Sequence, residues 1–296
     1  MAKKAYVGVS GTPKNVKAIY VGVNGVPKKV IKGYVGINGV PCVFWQGGTP
    51  IPTTWLVKTW SGYTSINGYN IWTDGNNYYY SYGSAQYVLD KATSTWIAKT
   101  WSGLTSFNGQ YVWTDGNNIY YSSGSSQFVL NNGTWVRKTW SGDTSRPSGV
   151  VIWTDGTNIY HSSGSSQYVL DKATSTWSAK TWSGLTSFSG QFVWTDGVDT
   201  YYSSGNNQYV LDKATSTWNR KTWIIDANLD GAYIWTDGDN IYYSSAMRHY
   251  ILDKSTSTWN TKTWSGLTDF YGSNIWTDGD NIYSSSGSNQ YVLDKT

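Results

Sequence analysis

Glutamate is absent from the 296 residues: all eighteen acids are aspartate. Alanine and leucine are sparse too. A chain short of the best helix formers but rich in Gly, Ser, Thr, Tyr and Trp suits short strands joined by tight turns. The single cysteine, Cys42, excludes an intramolecular disulfide framework. No stretch approaches the roughly 18 consecutive apolar residues of a membrane span. The opening MAKKAYVGVSG lacks the apolar run of a secretory signal. The expectation is a soluble protein made in a cytoplasm, without membrane insertion.

What the chain has in abundance is tryptophan, and it comes in step. One set is Trp55, Trp96, Trp135, Trp177, Trp218 and Trp259. A second is Trp60, Trp101, Trp140, Trp182, Trp223 and Trp264, and a third is Trp72, Trp113, Trp153, Trp194, Trp235 and Trp276. Only Trp45 of the nineteen stands outside. A fixed period of this size means stacked supersecondary units, each burying its apolar face against its neighbours. Because aromatics dominate buried energetics, these tryptophans are expected to pack between units.

Residues 1–45 hold a shorter repeat: AYVGVSGTPKNVK, IYVGVNGVPKKVI and GYVGINGVPCVFW. Each alternating run meets Ser-Gly or Asn-Gly, a strong hairpin signal, so a small β-meander is expected here. Residues 46–54, with QGGTPIPTT, read as a linker. Charge divides along the same boundary. Residues 1–50 carry seven lysines and no acid, whereas the rest carries fifteen bases against eighteen acids.

From Trp55 each repeat reads as four strands. In the second copy these are roughly 109–115, 117–123, 127–131 and 134–140, the first pair joined by Asp-Gly-Asn-Asn. Four strands in each of six units predict an all-β, six-bladed β-propeller over 55–296. The segment DGNNIYYSSGS followed by QYVLDKATSTW resembles the kelch repeat, though kelch's paired glycines stand here as Ser-Ser-Gly and the period is shorter. Trp-Thr-Asp-Gly lacks the Gly-His partner of a WD40 blade. The chain enters at WLVKTW, which matches a last strand, and ends at QYVLDKT, which matches a third. Residues 55–60 should therefore supply the outer strand of the final blade and close the ring, removing two exposed edges.

Positions repeated in all copies serve the blade; breaks in the pattern are free for something else. The loop after the second Trp, normally SGLTSFNGQ or close to it, becomes SGDTSRPSG at 141–149, with Asp143 and Arg146. It becomes IIDANLDGA at 224–232, with Asp226 and Asp230. The same blade replaces GSNQYVL-type sequence with AMRHYIL, introducing Met247, Arg248 and His249. In such a blade the entering loop and the turn between second and third strands share one face. Asp143, Arg146, Asp226, Asp230, Met247, Arg248 and His249 are the candidate ligand contacts, since binding surfaces live on variable loops held by a rigid scaffold.

Catalysis is not expected. A sialidase-like propeller needs an arginine cluster and a Glu-activated Tyr, but only Arg137, Arg146, Arg220 and Arg248 exist. A kelch-type copper oxidase needs two His and a Tyr cross-linked to Cys, and Cys42 lies outside the propeller. No cofactor and no metal is called for. Asp237/Asp239 and Asp278/Asp280 have the spacing of a shared calcium, but the tight hairpin accounts for them without one. Three readings remain: glycan recognition by Tyr, Trp, Asn, Asp and Ser, a structural or protein-docking propeller, and nucleic-acid binding by the basic N-terminal lysines. The last is disfavoured, because lysines commonly guard small sheet edges.

The repeated YVGVNGVPKKV segments look like those at the starts of phage-encoded tail and other virion proteins. The resemblance covers residues 5–45. It implies attachment to other virion proteins through that module, location on the virion, and a displayed propeller that binds a host-surface glycan or serves a structural role.

Overall fold

Each tryptophan period folds into one four-stranded antiparallel sheet, and six such sheets form a propeller. The computed structural model describes residues 52–142, 147–225 and 228–294, together with the strand backbones between Tyr6 and Gln46. Two compact units result, one from residues 1–52 with 295–296, the other from 53–294.

In the first unit three hairpins form: Tyr6–Val9 with Thr12–Asn15, Tyr20–Val23 with Val26–Lys29, and Lys32–Ile37 with Val40–Gln46. Among the described residues each pairs within itself, giving three two-stranded sheets, the hairpins of the expected hairpin or meander module. Pro13, Pro27 and Pro41 sit in the second strand of each hairpin and supply no N–H for a further strand.

In the second unit blade 1 comprises Ile71–Thr73, Tyr78–Tyr82, Ala85–Asp90 and Thr95–Ala98, from the axis outward. Blades 2 to 5 repeat this order, with outermost strands Thr134–Arg137, Thr176–Ala179, Thr217–Arg220 and Thr258–Thr261. Blade 6 takes its inner three strands from Ile275–Thr277, Ile282–Gly287 and Asn289–Asp294. Its outer strand is Thr54–Val57, paired Asp294 to Thr54 and Tyr291 to Val57. The predicted closure is present, over four residues.

The three tryptophan sets have three jobs. Those of the third set lie on the innermost strands. Each stacks on a second-strand tyrosine at 4.4–4.5 Å, as Trp113 does on Tyr120. Each indole Nε1 donates to a buried serine hydroxyl at 2.8–2.9 Å, Trp113 to Ser122 for example. The first set lies on the outermost strands and is almost fully buried. The second set follows the outermost strand, and the lysine two residues earlier rests 4.5–4.8 Å over its ring. Every apolar cluster contains one tryptophan of each set, drawn from adjacent blades: Trp72, Trp101 and Trp135, for instance. The core is thus six wedges of aromatic packing between blades.

Short 3-10 turns lead into the innermost strands and touch one another around the axis. The glycine opening each turn packs on a carbonyl of the preceding blade. A Cβ on Gly190 would stand 2.1 Å from the Val151 oxygen.

Candidate functional site

The loop that enters each blade and the turn between its second and third strands meet on one face. Phe107 N–H donates to Gly83 O, and the Gln86 amide donates to both Gly83 O and Phe107 O. The Asp-Gly and Asp-Lys-Ala-Thr-Ser turns therefore lie on the opposite face. There Lys91, Lys172 and Lys254 donate to the carbonyls of Asp278, Asp115 and Asp196 in the blade before, each at 2.7 Å. Asp237 and Asp278 are fully engaged as turn caps. Asp237 Oδ1 accepts from the N–H groups of Asp239 and Asn240, and Oδ2 from the Tyr242 hydroxyl. Asp278 repeats this with Asp280, Asn281 and Tyr283. Among the described residues no three His, Cys, Asp or Glu side chains gather as a metal site.

Among the described residues the first face departs from the common course around blade 5, and the cause can be read residue by residue. After the second-set tryptophan four other blades place Ser-Gly, the glycine at φ of +80° to +87° with its α-carbon pressed on the next outermost strand. A Cβ on Gly184 would stand 2.0 Å from Trp218 O. Blade 1 does the same with Gly62, at φ +78°. Blade 5 is entered by Ile224 and Ile225 instead. Ile224 keeps the bridge, accepting from Trp259 N–H at 2.9 Å. Ile225 has no left-handed φ and cannot fit where a glycine does, so the chain leaves the common course there. Its side chain joins the cluster around Trp223 and Trp259, the place that Leu185 fills one residue later in the blade before.

The rerouted loop borders a groove of about 510 Å³ between blades 4 and 5. It is lined by Asn206, Arg220, Lys221, Trp223, Asn228 and Arg248, among others. The corresponding groove one blade on measures about 370 Å³, with Thr261 where the first has Arg220. Arg248 lines both and so stands on the ridge between them. Neither Arg220 nor Arg248 pairs with a carboxylate among the described residues. Lys221 is held by the Ser257 hydroxyl at 3.0 Å and by the Trp223 ring.

Arg248 is carried on a strained turn. Its first residue, Ala246, has φ +54° where five blades have glycine at +56° to +60°. A Cβ costs about 1 kcal/mol in this region. Such strain tends to collect at functional sites.

The candidate contacts separate in the structure. Met247 is 80% exposed beside Arg248 and lines the smaller groove. His249 takes the slot of Gln86, Gln127, Gln167, Gln208 and Gln290, whose amides tie one blade to the loop of the next at 2.9–3.4 Å. Its Nε2 meets Thr268 O at 3.2 Å and its ring stacks 4.5 Å from Phe270. Burial holds its pKa below the ordinary imidazole value, so the neutral ring serves as that tie. Asp230 caps the 3-10 turn, accepting from Ala232 N–H at 3.0 Å, and does not line either groove. Burial raises its carboxyl pKa. Asp143, Arg146 and Asp226 lie outside the described residues.

Sequence reading missed Arg220, which sits in an unremarkable outer-strand slot. The signal was in the copies: the slot holds Ala98 and Ala179 in two blades, Thr261 in a third and Arg137 in a fourth.

No protein-family model matches the sequence, and a search of curated proteins returns none. Among solved structures the chain is similar to the extracellular domain of a hybrid two component system from B. thetaiotaomicron. That match has 11% identity and a TM-score of 0.49, covering 76% of this chain and 33% of that one. A second extracellular domain of a hybrid two component system from that organism gives 10% identity and a TM-score of 0.46, covering 81% and 34%. The chain spans about a third of the length of either.

Proposed function

We propose that this chain is a non-enzymatic phage virion protein that binds a host-surface glycan in the groove between blades 4 and 5. The observation that carries the binding site is the groove itself. It is the place where the blade pattern is broken by Ile225, widened, and furnished with two guanidiniums that pair with no carboxylate among the described residues. Amide and hydroxyl groups of Asn206, Gln208, Thr222 and Asn228 line it, and such groups suit the hydroxyls of sugars. The virion assignment rests on the YVGVNGVPKKV repeats, whose hairpins would dock on other virion proteins. The kelch-like character of the blades adds a rigid display platform and no chemistry of its own.

A second reading, a structural propeller that docks protein and has no host ligand, is favoured by one observation. Ile224 and Met247, near the grooves, are 62% and 80% exposed, and apolar side chains outside a core suit a protein neighbour.

The test is a glycan-array screen of the full chain beside a chimera carrying SGLTSFSG at 224–231, which restores the common loop at equal length. Selective binding lost in the chimera supports the glycan reading. Silence from both proteins, with recovery of virion proteins by the native chain alone, supports the docking reading.

A further inference from the structure

The charge of the groove narrows the ligand. The propeller as a whole carries an excess of acids, yet among the described residues the lining of this groove includes Arg220, Lys221 and Arg248 and no carboxylate; Asp226, between the lining residues Ile225 and Asn228, lies outside the described residues. Arg220 comes from the outer strand of blade 4, opposite Tyr209. Arg248 comes from the start of the third strand of blade 5, opposite Ser245. They reach one groove from two blades, so the pair exists only because the ring juxtaposes these copies. No other seam offers two arginines in these slots. The third-strand slot of Arg248 holds Ala85, Ser126, Ser166, Asn207 and Asn289 in the other blades.

Unpaired guanidiniums flanking a groove fit an anionic group by paired N–H···O bonds. The remaining lining, Asn206, Gln208, Thr222 and Asn228, is neutral and polar. A nucleic acid would call for an open aromatic face on which bases stack, and Trp223, the ring that lines the groove, is only 9% exposed and capped by Lys221. We infer that the groove between blades 4 and 5 takes an acidic saccharide, its carboxylate or phosphate gripped between Arg220 and Arg248. The inference rests on the glycan reading and adds the charge of the glycan.

The sister blades supply variants that the fold already tolerates: Arg220→Ala, as in blades 1 and 3, and Arg248→Ser, as in blades 2 and 3. The full chain and the double variant are titrated with hexagalacturonate, a phosphorylated maltohexaose, neutral maltohexaose and a twelve-nucleotide single strand of DNA. The expected result is binding of at least one acidic sugar polymer. Its Kd should weaken at least about tenfold in the double variant and at raised salt, with the melting temperature unchanged. Which of the two acidic probes wins identifies carboxylate or phosphate. Equal binding by both proteins, or tighter binding of maltohexaose, overturns the charge assignment and leaves glycan binding standing. Binding of the DNA at matching affinity overturns the saccharide. If none of the four probes binds, the charge assignment is overturned, and the array screen then decides separately whether any glycan is bound.

Discussion

Gly68 and Asn274 meet across the join between the first and last blades: a Cβ on the glycine would lie 2.1 Å from the asparagine carbonyl oxygen. The glycine's φ is ordinary, so what excludes a side chain here is space and not backbone conformation. Gly68→Ala should push two blades apart at the axis and cost on the order of 2 kcal/mol, seen as a lower urea midpoint. An unchanged midpoint would show that the axis is looser than this contact implies.

Trp55 closes the ring from the outside. It is 1% exposed and packs 5.8–5.9 Å from Trp235 and Trp264 and 5.3 Å from Phe270. Trp55→Ala should cost about 3–5 kcal/mol. Deletion of 55–60 should do more, since it also exposes the edge of Asn289–Asp294. The check is thermal unfolding followed by tryptophan fluorescence, and a deletion that melts like the native chain refutes closure as a source of stability.

One seam is under-fastened. Across most seams an outer-strand lysine reaches a serine of the next blade, as Lys58 reaches Ser94 at 2.8 Å and Lys138 reaches Ser175 at 2.7 Å. Blade 2 turns through Asn131, Asn132 and Gly133 and has neither that serine nor the lysine that clasps the preceding Asp-Gly turn. Replacing these three residues by Asp-Lys-Ala-Thr-Ser adds both bonds and should raise Tm on the order of 4 °C. Hydrogen exchange in the native chain should open first along this seam; uniform protection across all six would count against it.

Acid and alkali should each remove stability, at separate pH. Burial opposes ionisation of Asp115, but the N–H groups of Asn118 and Asn117 and the Tyr120 hydroxyl outweigh it and hold its pKa below the usual value. Asp74, Asp155 and Asp278 share the arrangement. A depressed folded pKa gives stability that is complete above the unfolded value of about 3.9 and lost as pH falls through the folded one. Burial, and then the Asp115 carboxylate, push Tyr120 up to about 12. That contribution is complete below about pH 10 and is lost as pH rises through the folded value. Urea midpoints should therefore be flat from about pH 7 to 9 and fall on both sides, on the acid side first as the unfolded chain protonates His249, whose buried ring resists it, and then as the carboxylates take up protons. A midpoint at pH 3 equal to that at pH 7 contradicts the Asp–Tyr account.

Ala246→Gly should stabilise the fold by about 0.5–1 kcal/mol, because it relieves a left-handed alanine. A drop in the urea midpoint would mean that the turn carries no strain.

The blades were legible because their information is periodic. Trp-Thr-Asp-Gly marks an innermost strand and its turn, and the half-blade WLVKTW at the start demands a partner at the end. The groove was legible only in part. Arg248 stood out because five sister copies lack it, whereas Arg220 hid in a slot that already tolerates Arg137. His249 looked like a free polar group until its register with five glutamines showed it bridging to Thr268. The effect of Ile225 was out of reach, since nothing local says that Gly184 lies against the Trp218 carbonyl. That proximity belongs to the next blade.

The closing strand has a mechanical consequence. Thr54–Val57 is the first strand of the second unit and lies on the rim of blade 6, with Thr54 opposite Asp294. Any load transmitted along the chain from residues before Thr53 enters at that strand. Tension there acts on one antiparallel ladder and on the Trp55 anchor before it reaches another blade. The ring would yield by peeling at its own clasp, and because Trp55 packs on Trp235 of blade 5 the pull passes next to that blade, leaving blade 3 across the ring the last to feel it.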